Sequence, residues 1–487
     1  MSPRGSKGLL ASILILATGS SLGQFITLAI LPIITRLYSP EAFGVLSIFV
    51  ALSTLLINMS SLQFSEVIVI CDSEQDAERA AVISSLLVVA ISVLTGVLFW
   101  IYAGSAAALL GIEEYGFLLK FLALAVLFGG LELVCRRWLL REHRNRRIAS
   151  SEVAMAIADR ATTVALGLLT AGSPVGLVFG RVIGIFCAFF VALQPKNNRL
   201  LRFRFSSGQW RKICELAQRY RRFPYYSWAK LLEISANQLP VLLLGAFFGP
   251  SVAGGFSLSK RVLAEPAVLL GSAVSQSYFQ YAAKQKDDNA VAKATSQLTI
   301  SLVKLIAFPI FIGLTCAPEL IPVVFGNTWE ATGWYTFILA PMFMVLFVMR
   351  PLNPIFSLKE RQREKGIFAA QNILVIVVTL SSTAYFGNDY IALAVLSLAS
   401  TTYLVYRGIW LMRLVNVDIP ALGAALSFSF VVTVAAVLCS IILRTQLLYS
   451  GFALVASSCG FTLVYLLLVV LRDEQILKIV RRLRKKD

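Results

Sequence analysis

Ionisable side chains are scarce in this sequence. Only 14% of its 487 residues are Asp, Glu, Lys or Arg, against about 25% in an ordinary soluble chain. The single histidine, His143, lies in an Arg-rich stretch. No HExxH or P-loop motif occurs, so the usual zinc and nucleotide chemistries lack their residues. The seven cysteines are Cys71, Cys135, Cys187, Cys214, Cys316, Cys439 and Cys459, and none pair at CxxC spacing. That leaves no disulfide framework, no metal site and no implied cofactor. Also missing is a polar stretch long enough for a soluble domain. The net charge of +18 therefore does not describe a nucleic-acid binder, whose Lys and Arg would sit on one.

Apolar runs fill the space instead. The chain is 57% hydrophobic, and runs of about 20 residues recur from end to end, each long enough to cross a ~30 Å hydrocarbon layer. In lipid, such segments must satisfy their own backbone hydrogen bonds, which selects helices. The ~10-residue alternation of barrel strands is absent. The fold class is all-α polytopic membrane protein with about fourteen transmembrane helices. The spans are 9–35, 43–70, 80–103, 114–135, 149–171, 174–194, 223–248, 252–282, 292–316, 331–357, 367–386, 390–412, 421–443 and 450–471. The first run, behind Arg4 and Lys7, resembles a signal peptide but continues past Gln24 to Ile34, so it reads as a span.

Loop charges fix the expected sidedness. With the N-terminus inside, the loops after spans 4, 6, 8 and 10 and the C-terminal tail should be cytoplasmic, and all are rich in Lys and Arg. The opposite loops near 104–113, 171–174, 249–251, 317–330 and 387–389 have neither. Arg36, Arg444 and the acidic loop after span 2 depart from the pattern. Both termini are thus expected in the cytoplasm.

The domain organisation expected is an N-lobe over 1–194, a cytoplasmic amphipathic linker over 195–222, a C-lobe over 223–413, accessory spans over 414–472 and a basic tail over 473–487. In the linker, Trp210, Ile213, Leu216, Ala217 and Tyr220 recur at helical spacing between basic residues. Such a helix suits the anionic headgroup layer and tethers two lobes. The lobes look duplicated. Span 1 holds Gln24 and Pro32 and exits through Tyr38-Ser39-Pro40 to Gly44; span 7 holds Gln238-Leu239-Pro240 and exits through Phe248-Gly249-Pro250 to Gly254. Two parallel six-span halves imply a pseudo-two-fold axis along the membrane normal.

Charges inside spans are expensive and normally face protein or a wet cavity. Here they include Lys120, Asp159, Arg160, Arg181, Lys230, Glu233, Lys260, Arg261, Glu265, Lys304 and Arg350. Lys230 with Glu233 and Arg261 with Glu265 stand at pairing distance along one helix. Lys120 and Arg350 have the option of snorkelling to an interface. Asp159 and Arg160 are sequence neighbours and should pair poorly. Basic residues outnumber acids, which favours an anion, and phosphate or pyrophosphate suits paired Arg and Lys best. Pro32, Pro240 and Pro266 are expected to break their helices, as Pro309, Pro341, Pro351 and Pro354 break others, a mark of alternating-access transporters.

Three stretches resemble a known family. They are Leu31-Pro-Ile-Ile-Thr-Arg-Leu-Tyr-Ser-Pro-Glu-Ala-Phe-Gly44, Trp138-Leu-Leu-Arg-Glu142, and a longer set running Tyr220-Arg-Arg-Phe-Pro224, Gln238-Leu-Pro-Val-Leu-Leu-Leu-Gly-Ala-Phe-Phe-Gly249, Ser259-Lys-Arg-Val-Leu263 and Gly271-Ser-Ala-Val-Ser-Gln276. They are similar to Wzx-type oligosaccharide-lipid flippases of the multidrug/oligosaccharidyl-lipid/polysaccharide transporter superfamily. Arg36 and Arg261 match family positions. Phe64-Ser65-Glu66 keeps the acid of the family's Arg-Tyr-Glu and loses its Arg.

The resemblance implies a non-enzymatic transporter of the bacterial cytoplasmic membrane, with a V-shaped pair of lobes around a cationic cavity. Its implied substrate is an undecaprenyl-pyrophosphate-linked oligosaccharide, flipped from the inner to the outer leaflet for O-antigen, capsule or exopolysaccharide synthesis. Membrane lipids, a polysaccharide polymerase and chain-length proteins are the implied partners. Expected substrate contacts are Arg261, Lys304, Arg160, Arg181, Lys230, Arg36, Arg350, Lys120 and Lys260; coupling candidates are Asp159, Glu233, Glu265 and Glu66. A cation-coupled drug or metabolite antiporter on the same scaffold is the alternative, kept alive by the intramembrane acids. A membrane-embedded glycosyltransferase, polymerase or ligase ranks last, because no large outer loop or cytoplasmic domain is present to hold donor and acceptor.

Overall fold

The computed structural model describes residues 23–193, 207–220, 223–283, 285, 287–424 and 426–427. Among the described residues, the regular structure is helical: α1 Gly23–Leu37, α2 Pro40–Ser60, α3 Phe64–Ile70, α4 Glu74–Leu109, α5 Leu122–Arg141, α6 Asn145–Leu169, α7 Pro174–Leu193, α8 Ser207–Arg219, α9 Phe223–Phe248, α10 Pro250–Ala282, α11 Asp288–Phe325, α12 Glu330–Met349, α13 Ile355–Leu358, α14 Gln362–Ala384 and α15 Asp389–Leu414. Eight helical segments here are long and apolar enough to cross a membrane. They coincide with predicted spans 2, 3, 4, 6, 7, 10, 11 and 12. Predicted spans 5, 8 and 9 are α6, α10 and α11, of 25, 33 and 38 residues. Span 13 beyond Ser427, span 14 and the basic tail lie outside the described residues.

Short polar residues start these helices. Ser39 accepts from the Ala42 amide with Pro40 in the first turn, Ser73 accepts from Asp76, Asp287 from Asn289 and Asn388 from Ile391. Each satisfies an amide that has no partner in the first turn, which contributes about 1 kcal/mol.

The structure corrects the sequence reading in two places here. Predicted span 43–70 is two helices: Leu62 and Gln63, with φ of 43° and 61°, turn the chain between α2 and α3. Non-glycine residues occupy that left-handed region only when their surroundings hold them there. Buried Ser61 and Ser65 share a hydrogen bond of 3.1 Å, and the Gln63 amide donates to the Asn58 carbonyl at 3.1 Å. The second correction concerns proline. Helices run on through Pro32, Pro240 and Pro266 where breaks are predicted. Proline removes one hydrogen bond and crowds the carbonyl four residues back, which bends a packed helix without ending it. The interruption falls at a 3₁₀ turn, Arg350–Leu352, ahead of Pro354.

Two compact units emerge. Unit 1 comprises Met1–Ser257 and Lys365–Gly387; unit 2 comprises Leu258–Glu364 and Asn388–Asp487. Helix α9 and the start of α10 therefore group with α2–α7. Within unit 1, the linker helix α8 lays Ile213, Leu216, Ala217 and Tyr220 onto a core of Phe64, Val67, Ile68, Ala80, Val134 and Trp138. Its apolar stripe is thus spent on protein, and Arg211, Lys212 and Arg219 remain exposed. At the seam, burial pushes the Cys71 thiol and the Tyr220 hydroxyl above their ordinary pKa values. Within unit 2, Ser259 and Thr336 hydroxyls bond at 2.9 Å to join α10 to α12, and Tyr335 donates to Asp389.

Candidate functional site

The Arg-rich end of unit 1 holds a charged network centred on Glu66. Helix α3 presents this carboxylate, α5 brings Arg137 to 2.7 Å and α9 brings Lys230 to 2.9 Å. The same Lys230 ammonium donates to Gln63 Oε1 at 2.9 Å, so the strained turn supplies part of the site. The side chains are between 24% and 40% exposed, which leaves the network wet. Beside it, Glu233 pairs with Lys365 at 2.9 Å, and Arg136 pairs with Glu152. The helix-local pair of Lys230 with Glu233 is therefore corrected. Each finds its partner on another helix, because at this end of the unit opposite charges converge from α3, α5, α9 and α14.

Arg141 closes the network by capping α3. One of its Nη atoms donates to the Ile68 carbonyl at 2.8 Å and the Cys71 carbonyl at 2.6 Å. A cation there satisfies orphan carbonyls and complements the helix dipole. Arg141→Ala should lower the detergent-solubilised chain's thermal midpoint, at a cost of about 1.5–3 kcal/mol for the lost charge-assisted bonds.

Further into the bundle lies a second cluster. Asp159 and Arg160 are 5% and 7% exposed on α6. The Asp159 carboxylate is 3.7 Å from Arg160 and 3.7 Å from Arg181 of α7. Asp159 and Arg160 pair only loosely, as expected of sequence neighbours, and Arg181 stands at the same distance from the carboxylate. The Nε atoms of Arg160 and Arg181 are buried without a hydrogen-bond acceptor. Close approach of the helices makes this possible. A side chain at Gly180 would strike Thr163, and one at Gly184 would meet Asp159 Cβ at 2.8 Å. Spacing of small residues four apart is the usual way membrane helices come close. The Tyr38 hydroxyl donates to the Thr163 carbonyl at 2.8 Å, tying the turn after α1 to this cluster.

At the opposite end of unit 1 the duplicated turns meet. Gly44 lies directly under the Pro250 carbonyl, and Gly254 lies under the Pro40 carbonyl. In both cases any Cβ would overlap a backbone oxygen. The contact is reciprocal: each Pro-xxx-Gly turn receives the other's proline carbonyl against its glycine. Gly111, with φ of 68°, fits beneath the Gly245 carbonyl in the same seal.

The remaining predicted residues scatter. Lys120 is exposed, 4.6 Å over the Trp100 ring, and joins neither cluster. Arg36 is also exposed. In unit 2, Lys260 and Arg261 are half-buried on α10, Arg350 is exposed in the 3₁₀ turn, and Glu265 and Lys304 lie on α10 and α11. The sequence reading missed Arg137, Gln63 and Arg407. The last donates to Asn353 and packs over Phe356, which stacks on Trp410. Arg137 is hidden among loop arginines, and nothing in its spacing separates it from them.

This fold is shared with transporters of the MOP superfamily. The structure is similar to lipid II flippase MurJ in its inward closed conformation, with a TM-score of 0.65, 14% identity, 94% of this chain and 97% of that one covered. It is also similar to an inward-facing multidrug resistance MATE transporter of the MOP superfamily, with a TM-score of 0.56, 13% identity and coverage of 84% and 96%. The family model described as polysaccharide biosynthesis protein matches residues 33–333, and the chain belongs to that family. Among relatives, lipopolysaccharide biosynthesis protein WzxC of Escherichia coli (strain K12) is 30% identical over 127 residues, 25% of this chain and 24% of that protein. Succinoglycan biosynthesis transport protein ExoT of Rhizobium meliloti (strain 1021) is 24% identical over 330 residues, 65% of this chain and 62% of that protein. The matches thus span from about a quarter to under two thirds of these relatives' lengths. The chain is a helical protein of the polysaccharide biosynthesis family, with segments long and apolar enough to cross a membrane.

Proposed function

We propose that this chain flips an undecaprenyl-pyrophosphate-linked oligosaccharide from the inner to the outer leaflet of the bacterial cytoplasmic membrane by alternating access, with both termini in the cytoplasm. One observation carries the reading: two arginines within the bundle, Arg160 and Arg181, share a single carboxylate. An uncompensated positive charge in a membrane interior is costly unless an anion answers it. A diphosphate offers the planar oxygen pairs that guanidinium groups bind best. The names of the relatives, which include lipopolysaccharide and succinoglycan biosynthesis, supply the substrate class. The lobes proposed are 1–194 and 223–413, with the linker 195–222, the accessory spans 414–472 and the tail 473–487. Lys230 at the Arg-rich end of unit 1, and Arg261 and Lys304 in unit 2, are assigned further contacts to the anionic headgroup. Glu66, Glu233 and Asp159 are the carboxylates assigned to the coupling machinery. Polymerase and chain-length proteins are the proposed partners that receive the flipped unit.

To test this, Arg160→Gln and Arg181→Gln are combined with Arg261→Gln and Lys304→Gln. Surface polysaccharide is then measured at matched protein level. Loss of these four charge-assisted contacts, each worth about 1.5–3 kcal/mol, should cut export by at least about a hundredfold. Undiminished polysaccharide would remove the cationic site from the mechanism.

A further inference from the structure

Asp159 is held in an unusual way for a buried acid. Its carboxylate is 7% exposed and stands 3.7 Å from a nitrogen of each guanidinium. Closed charge-assisted pairs sit at about 2.7–2.9 Å. The Thr163 hydroxyl donates to it at a long 3.4 Å. Neither pair is closed. Arg160 is the next residue on the same helix and reaches back around it. Gly184 fixes the separation of α6 from α7 with its backbone against Asp159 Cβ. The acid therefore neutralises half of two positive charges at arm's length, while both buried Nε donors stay unanswered.

We infer that Asp159 is an internal stand-in for the substrate's phosphate. It compensates Arg160 and Arg181 between transport cycles and yields them when a phosphoryl oxygen arrives. This rests on the diphosphate reading above and adds a role to it. Arginines with no internal competitor would bind a diphosphate tightly and release it slowly. A carrier needs binding strong enough to load and weak enough to unload. The carboxylate supplies that balance, because every diphosphate contact must replace an existing attraction. Asp159 is in this sense a positioning residue that sets affinity.

The experiment uses the purified full-length chain, inorganic pyrophosphate as the probe in calorimetry, and surface polysaccharide as the transport readout. Asp159→Asn should bind pyrophosphate about tenfold more tightly while export falls. Asp159→Glu should bring both values back toward the native protein. A purely structural acid predicts the reverse for binding, since its loss would let the guanidinia drift. Should Asp159→Asn fail to fold, the comparison moves to Arg160→Gln against Asp159→Asn/Arg160→Gln. The double variant keeps the native net charge of the cluster and should bind more tightly than the single. Pyrophosphate binding by the native chain with no tightening in either comparison overturns the stand-in role alone. Absence of pyrophosphate binding in the native chain and all variants overturns the diphosphate reading, and this role with it.

Discussion

Gly44→Val should abolish surface polysaccharide while the chain still reaches the membrane. The added Cβ would overlap the Pro250 carbonyl oxygen, and backbone cannot step aside as a side-chain tip can. Overpacking in a core that can adjust costs about 1–3 kcal/mol. Here relief requires α2 and α10 to part at their first turns, which undoes the seal at that end of unit 1. Gly254→Val, pressed against the Pro40 carbonyl, should have the same effect. Gly104→Val is the control, because nothing lies within 4 Å of a Cβ there. Cysteines at exposed Ser39 and Ser251, placed in a background without the native cysteines, should join through a short bifunctional maleimide in the parent and lose that link in Gly44→Val. Export by Gly44→Val at the level of Gly104→Val would show that the turns need not meet.

Reversing the acid at the other end of the unit should be nearly as damaging. Glu66→Lys would put three cations together, since Arg137 and Lys230 already point at this position from 2.7 and 2.9 Å. Export should drop by about tenfold or more at equal protein level, like charges at contact distance being unfavourable even in a wet site. Adding Lys230→Glu should restore most of it. The new acid would face both the introduced lysine and Arg137, so the network would be rebuilt with its polarity exchanged. Neighbours in one network couple strongly, and the double-mutant cycle reads that coupling directly. Two independent losses that simply add would rule out the pairing.

Length and hydropathy made the helices legible, because lipid leaves a spanning backbone no other way to pair its polar groups. The α2–α3 break was not legible. It depends on Leu62 and Gln63 holding a conformation that no local pattern of theirs announces. The prolines misled for a related reason: α9 runs on through Pro240 inside a packed bundle, and the sequence carries no record of the packing. Among the charges, Asp159, Arg160 and Arg181 stood out by depth alone, and the structure does bring them together. Partner choice was hidden. Lys230 and Glu233 are three residues apart, yet each pairs across the bundle, and only the fold could reveal Glu66 and Lys365 as their counterparts. The Trp100 ring beneath Lys120, twenty residues back along the chain, was likewise not legible.

The mutual seating of Pro40 on Gly254 and of Pro250 on Gly44 has the symmetry of an isologous contact, in which one patch meets its own copy. Within a single polypeptide, each Pro-xxx-Gly turn is the surface on which the other rests. Each glycine is then constrained by the other half's backbone, so the two copies of this turn cannot drift apart independently.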